Sequence, residues 1–272
     1  MSKLCQICFS PRADLADILR EDARRLIATY NWEGGQSVLD NINNSKTIIS
    51  IHDHLAVLRV AEILTFLGEK WPKPRLEECC NLHPTRGPHD IVLPLKEEQS
   101  IVVEVKRLDR ATAAGDMVEE EITEYVCKHP PLSSRLDKDD ELNVLKEDNH
   151  LTSKGHRLVF LLDEIGAKQN QLDPGGVNVV WVVSRNVLFE RMEVEDAAHH
   201  YQQVKLGRLE DQPGRFYRRP DHLTALAWSF DGPSGSYSEG LGPCCALLDS
   251  CPVLADRMEA VGVRVNASCI RD

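Results

Sequence analysis

The stretch GPHDIVLPLKEEQSIVVEVKRL, residues 87–108, contains two short apolar runs on either side of a polar turn. This pattern predicts a β-hairpin. Charged residues interrupt both runs, Asp90 in the first and Glu104 and Lys106 in the second. A charge inside a sheet is costly unless it is paired. The presence of these three side chains in the hairpin therefore indicates a partner or a function for them.

The register of the hairpin suggests such a partner. A loop at residues 96–98 places Asp90 opposite Glu104, where Cβ atoms are about 4.5–5.5 Å apart and like charges repel. Lys106 shares their face because side chains alternate along a strand, while a bulge at Pro94 would shift the register. Two carboxylates held together need a shared proton or a cation, and a divalent ion with oxygen ligands fits well. A salt bridge between Lys106 and one carboxylate is the structural alternative.

Asp90, followed after thirteen residues by Glu104, Val105 and Lys106, resembles the motif of the PD-(D/E)XK nucleases, which share the restriction-endonuclease-like fold. The chain departs from that motif because His89 separates the proline from the aspartate. The resemblance implies a nuclease that depends on Mg²⁺ or Mn²⁺, built on a core with the element order αβββαβ.

The resemblance also implies roles for individual residues. Asp90, Glu104 and the main-chain carbonyl of Val105 would bind the metal, and Lys106 would orient or help to deprotonate the attacking water. The family often places a further acidic ligand on the helix before the hairpin, and Glu62 matches that position. Asp90, Glu104 and Lys106 are therefore the expected catalytic residues.

The periodicity of the remaining sequence predicts an α/β fold. Helices are expected at 13–29, at 53–69 (capped near Ser50 or Asp53) and at 116–128, and strands at 76–82, 89–95, 100–106, 157–164 and 177–184. The last two strands are apolar on both faces, which is typical of interior strands covered by helices. The Gly pair and Asn cluster of residues 31–46 indicate a connecting segment.

These elements suggest three regions. We expect a helical N-terminal extension at 1–49 and a nuclease-like core at 50–205, with a mixed central sheet flanked by helices. An irregular extension, containing much Cys, Gly and Pro, is expected at 206–272.

The net charge of −11 counts against a protein that coats nucleic acid over its whole surface, although a local basic track is compatible with it. Arg107 and Arg110 follow the motif directly, and Arg215, Arg218 and Arg219 alternate with aromatic residues. We expect these arginines to contact nucleic acid. A short strand with exposed arginines is the alternative for the second group.

Nine cysteines, an odd number, indicate reduced thiols in the cytoplasm. Some RecB-like nucleases bind an iron–sulfur cluster through one upstream and three downstream cysteines. Here Cys5 and Cys8 precede the core and Cys244, Cys245 and Cys251 follow it, but the adjacent pair departs from the family spacing. We therefore expect buried thiols, and neither a cluster nor zinc.

The sequence thus predicts a metal-dependent nuclease acting on nucleic acid, DNA in the first place, and leaves open whether it cuts as an endo- or an exonuclease. The alternative is a non-catalytic protein that keeps the fold and acts as an interaction subunit of a larger complex, which the acidic charge and the polar segment 130–155 favour. Whether the protein forms a homodimer stays open. The longest apolar run, at 177–183, has the length of a strand, so no membrane association is expected.

Overall fold

The computed structural model describes residues 11–65, 71–77, 89–95, 100–108, 171–184, 198–199, 201–202, 222–230 and 242–266. The chain divides into two compact units between Ser100 and Ile101. Helices and strands occur in both units, so the predicted α/β class is confirmed. No helix in these ranges is both long enough and apolar enough to cross a membrane.

The N-terminal unit contains three helices that pack against one another and a pair of short antiparallel strands. These elements are α1 (Pro11–Tyr30), α2 (Gly35–Asn44), α3 (Ile48–Leu64), β1 (Arg75–Leu76) and β2 (Ile91–Pro94). In the strand pair, Leu76 lies opposite Ile91, and both side chains are fully buried. Helix α3 is buried on most of its circumference because it packs against both α1 and α2.

Helix α2 lies where the sequence indicated a connecting segment, so that prediction is wrong. Gly34 precedes the helix with φ +83°, and a Cβ atom there would stand 1.9 Å from the carbonyl oxygen of Leu76. The glycine therefore permits a close approach of two backbones, which the main-chain bond from Leu76 N–H to the Glu33 carbonyl (2.8 Å) stabilises. Burial of Val38 and Ile42 holds the helix despite its asparagines.

The predicted cap of α3 is also wrong, because the helix begins five residues earlier than Asp53. Thr47 is the capping residue, and its Oγ1 accepts a hydrogen bond from the main-chain N–H of Ser50 at 3.1 Å. The helix ends at Leu64, and Thr65 Oγ1 donates to the Ala61 carbonyl at 2.7 Å. An ordinary threonine cap thus fixes the start of this helix.

The C-terminal unit contains a mixed sheet in which the order of the strands follows the chain. Its elements are β3 (Ser100–Leu108), β4 (Val177–Ser184), β5 (Ala225–Phe230), β6 (Cys244–Leu247), α4 (Pro252–Ala260) and β7 (Arg264–Asn266). Strands β3, β4 and β5 run parallel, β6 runs antiparallel to β5, and β7 runs parallel to β6. Strand β4 has the predicted bounds.

The region from residue 206 was predicted to be irregular, which is wrong for its described part. It supplies β5, β6, α4 and β7. These strands are short, and cysteine, glycine and proline around them obscure the alternation that identifies a longer strand. The predicted helix at 116–128 and strand at 157–164 lie outside the described residues.

Asn178 joins the segments that lead into β4 and β5. Its side-chain amide donates hydrogen bonds to the carbonyls of Asp173 (2.7 Å), Gly176 (3.1 Å) and His222 (2.9 Å). Its Oδ1 accepts the main-chain N–H of Asp173 at 2.8 Å, and the residue is fully buried. One side chain therefore satisfies polar groups of two loops at the beginning of the sheet.

Candidate functional site

The expected site residues belong to both units. Glu62 lies on α3 and Asp90 directly precedes β2, so both belong to the N-terminal unit. Glu104, Val105 and Lys106 lie on β3 in the C-terminal unit. The surroundings of each group within its own unit determine what it can do chemically.

Glu104 is fully buried on β3. Its partner in the parallel register is Val180, and Val102, two residues earlier on the same face, is also fully buried. A carboxylate loses several kcal/mol of hydration when it is buried in this way. Glu104 takes part in at least one hydrogen bond or electrostatic interaction, and as a buried acid it is the strongest candidate for a functional group on the sheet.

Lys106 follows on the same face as Glu104, two residues further along β3, and is only half-buried. Its register partner is Val182. Along this face of β3, a buried acid is therefore followed within about 7 Å by a partly exposed cation. Arg107, expected to contact nucleic acid, lies on the opposite face with Val105. The sheet thus separates Arg107 from Lys106.

Glu62 belongs to a polar network between α1 and α3. Its Oε2 accepts a hydrogen bond from Arg59 at 3.0 Å, and its Oε1 accepts one from the Tyr30 hydroxyl at 3.3 Å. Arg59 also forms an ion pair with Asp22 on α1. Burial raises the pKa of Tyr30, and the nearby Glu62 carboxylate raises it further. Both oxygens of the expected fourth metal ligand thus already have partners.

A second polar cluster, centred on His54 and Glu77, was not identified from the sequence as a unit. The Nδ1 atom of His54 lies 3.3 Å from Oε1 of Glu77, and Asn41 donates a hydrogen bond to Oε2 of Glu77 at 2.7 Å. The main-chain N–H of Glu77 donates to the carbonyl of Asp90 at 3.1 Å. The cluster therefore connects α2, α3 and the residues that border β1 and β2.

His54 carries more positive charge than an ordinary histidine because of this cluster. The hydrogen bond to Glu77 raises the pKa of His54 above its usual 6.5, and the charges of Glu77, Asp53 and Asp90 also raise it, while burial opposes them. Within the N-terminal unit, the charge of Asp90 therefore raises the pKa of His54, a residue of helix α3. Glu62 lies eight residues, or about 12 Å, further along α3.

Glu77 has an unusual backbone conformation, with φ +40°. Residues other than glycine rarely adopt positive φ, and such strain is found where the surrounding contacts hold it. Here the contacts are the bonds to Asn41, His54 and Asp90. The sequence does not reveal this cluster, because nothing in the local pattern at Glu77 predicts a residue with positive φ.

The three downstream cysteines described are free thiols. Burial raises the pKa of Cys245 to about 12, and the neighbouring Cys244 and Cys251 add to the effect. A thiol of this kind stays protonated at neutral pH and is a poor metal ligand. Among the residues that the structure describes, no three His, Cys, Asp or Glu side chains form a group that could hold a metal ion.

Several expected residues lie outside the described ranges. They are the arginines proposed to contact nucleic acid other than Arg107, together with the two upstream cysteines: Arg110, Arg215, Arg218, Arg219, Cys5 and Cys8. Their roles therefore remain predictions.

Comparisons with models of known protein families, with curated proteins and with solved structures gave no match.

Proposed function

We propose that the chain is a Mg²⁺- or Mn²⁺-dependent nuclease of the PD-(D/E)XK type that hydrolyses phosphodiester bonds, with DNA as the first substrate to test. The observation that carries the proposal is a fully buried Glu104 and a half-buried Lys106 on one face of β3. A buried acid weakens a sheet, so a sequence that keeps one beside a lysine favours a chemical role over a structural one.

The donor set suits a hard cation. Two carboxylates, from Asp90 and Glu104, and the carbonyl oxygen of Val105 match the preference of Mg²⁺ for one or two carboxylates together with water. Glu62 would join them only after losing its bonds to Arg59 and Tyr30. We therefore assign the metal to Asp90, Glu104 and Val105, and keep Glu62 as a further ligand to be tested.

A bound divalent ion would supply positive charge at the reacting phosphate and lower the pKa of water. The residues of the chain have separate tasks. Lys106 donates hydrogen bonds to a phosphate oxygen or to the attacking water and offsets the negative charge that grows on the phosphate. Glu104, on β3, would serve as a ligand of that ion together with Asp90 and the Val105 carbonyl. The water oxygen forms a bond to phosphorus, and the bond from phosphorus to the leaving oxygen breaks. The water loses one proton and the leaving oxygen gains one.

Cleavage of a panel of nucleic acids tests the proposal. Supercoiled plasmid, linear duplex, single-stranded DNA and RNA are incubated with the purified chain in Mg²⁺, in Mn²⁺ and in excess chelator. We expect cleavage of at least one DNA that the chelator abolishes. Asp90→Asn and Lys106→Ala should each reduce the rate by at least about 100-fold.

Matched control variants distinguish the loss of a catalytic group from a general effect of substitution on the protein. Glu259→Gln removes an exposed acid on α4 and Lys73→Ala removes an exposed lysine, and both should cleave at rates close to the wild-type protein. Calorimetry should detect Mn²⁺ uptake that Asp90→Asn loses. Failure to cleave any nucleic acid, combined with no Mn²⁺ uptake, would reject the nuclease and favour the non-catalytic interaction subunit.

A further inference from the structure

A groove of about 600 Å³ lies between α1 and the start of α3 in the N-terminal unit. Its apolar lining comes from Ala16 on α1 and from Ile48, Ile49 and Ile51 on α3. Among the described residues that line it, the charged ones are Arg20 and Lys46, both basic. The groove is large enough to accept several side chains of a partner.

The two helices that form the groove also carry exposed apolar residues. Leu15 is 37% exposed, Ile18 63% and Ile49 51%, and these are the large hydrophobic residues exposed in the described part of the chain. Leu15 lies eleven residues before the buried Leu26 and therefore on nearly the same side of α1. The face of α1 that is buried at Leu26 is therefore partly exposed at Leu15, near the beginning of the helix. Of these three residues Ile49 lines the groove, and exposed apolar surface of this kind marks interaction sites.

The charges around the groove favour an acidic partner. Lys46 forms no ion pair within the residues that the structure describes. Arg20 pairs with Asp17 at 3.2 Å and donates a hydrogen bond to the Ser45 carbonyl at 3.5 Å, so Lys46 is the more available cation. Helix α3 begins beside the groove without an acidic residue in its first turn. The positive end of the helix dipole therefore adds to the two basic side chains.

We infer that this groove binds an acidic amphipathic helix of a partner protein. The aliphatic side chains of that helix would pack on Ile48, Ile49 and Ala16, and its carboxylates would face Lys46 and the beginning of α3. This is the helix-in-groove mode, in which apolar anchors supply affinity and charges at the rim select the partner. A nucleic acid would satisfy the cations but leave the aliphatic surface exposed to water.

A second copy of the chain is the other occupant to be tested. The inference is independent of nuclease activity, because none of the groove residues belongs to the proposed metal site. The protein could therefore bind such a helix whether or not it cleaves nucleic acid.

Two synthetic helical peptides of about 18 residues, or five turns, test the inference. Both carry leucines on one face, and the other face carries glutamates in one peptide and lysines in the other. Fluorescence anisotropy with the full chain should show micromolar binding of the acidic peptide, weakened by salt. The basic peptide should bind at least about tenfold more weakly. Equal binding of both peptides, or no binding of the acidic one, would overturn the inference.

Variants of the chain locate the binding surface. Ile49→Glu changes an exposed residue, so the fold should persist, and we expect a loss of affinity of at least about tenfold. Lys46→Glu should weaken binding by about three- to tenfold. The matched control Lys73→Glu makes the same charge change near the other end of α1, where Lys73 contacts the Tyr30 carbonyl. It should stay within about twofold of the wild-type affinity.

The variants also distinguish the other occupants. Wild-type affinity in Ile49→Glu would overturn the inference, as would a loss in Lys73→Glu equal to that in Lys46→Glu. Sedimentation of the chain over a range of concentrations reports self-association. A dimer that Ile49→Glu disrupts would assign the groove to a second copy and reject the acidic helix.

Discussion

Glu62 and Glu104 are both acids that the motif resemblance assigns to one metal, yet the two units surround them differently. Glu62 lies among polar partners: Arg59 and Tyr30 each hold one of its oxygens. Glu104 lies fully buried on a strand whose neighbour in the sheet presents valine at the paired position. The polar network accounts for both oxygens of Glu62, whereas Glu104 shares its face of β3 with the half-buried Lys106. This difference makes Glu104 the more informative residue.

The largest expected effect concerns the proposed nuclease activity and the contributions of these two acids to it. Glu104→Gln keeps the size of the side chain but removes its charge, so cleavage should fall by at least about 100-fold and Mn²⁺ uptake should be lost. Glu62→Gln should reduce cleavage by less than about tenfold, because its oxygens are engaged elsewhere. Steady-state cleavage of the best substrate measures both. A larger loss in Glu62→Gln would reverse the comparison and make Glu62 the principal ligand.

The next effect concerns stability in the C-terminal unit. Asn178→Ala leaves several buried main-chain groups of two loops without partners, so we expect a loss of about 3 kcal/mol. Urea unfolding followed by circular dichroism measures it. Asn43→Ala, which truncates an exposed asparagine on α2, should change stability by less than about 0.5 kcal/mol. A neutral Asn178→Ala would show that the loops do not depend on this side chain.

A smaller effect is expected for the network around Glu62. Arg59→Met keeps the apolar part of the side chain but leaves Asp22 and Glu62 without their shared cation. These groups are partly screened by solvent, so we expect a loss of about 1 kcal/mol. Arg24→Met breaks a more exposed pair with Glu21 and should cost about 0–0.5 kcal/mol. Equal losses in the two variants would mean that the Glu62 network is no stronger than a surface pair.

The smallest effect concerns the His54 cluster. Because the folded-state pKa of His54 is raised above 6.5, its protonation stabilises the fold fully below pH 6.5, and this stability is lost as the pH rises through the folded-state pKa. NMR titration of the imidazole should show the pKa fall in Glu77→Gln and fall less in Asp90→Asn. Glu21→Gln, which changes an exposed acid on α1, should leave it unchanged. If the pKa of His54 is unchanged in Glu77→Gln, the hydrogen bond to Glu77 does not raise it, and the proposed effect of the cluster is rejected.

The sequence was a good guide where burial leaves a local pattern. Strand β4 has the predicted bounds because a strand buried on both faces is apolar along its length. Helix α1 was predicted for a related reason, since its buried residues recur at helical spacing. Helix α2 and the later strands were missed because glycine, asparagine and cysteine carry little local signal, and their conformations are stabilised by tertiary packing.

The candidate site shows the same division. The sequence by itself determined that β3 holds an acid and a lysine on one face, because alternation along a strand needs no knowledge of the rest of the fold. Only the tertiary structure decided that Glu62 bonds to Arg59 and Tyr30, and that Glu77 bonds to His54. Tyr30 is 32 residues from Glu62 and His54 is 23 from Glu77, and such pairs form only when packing brings the elements together. Local pattern thus fixes which face a side chain takes, whereas its partners depend on the whole unit.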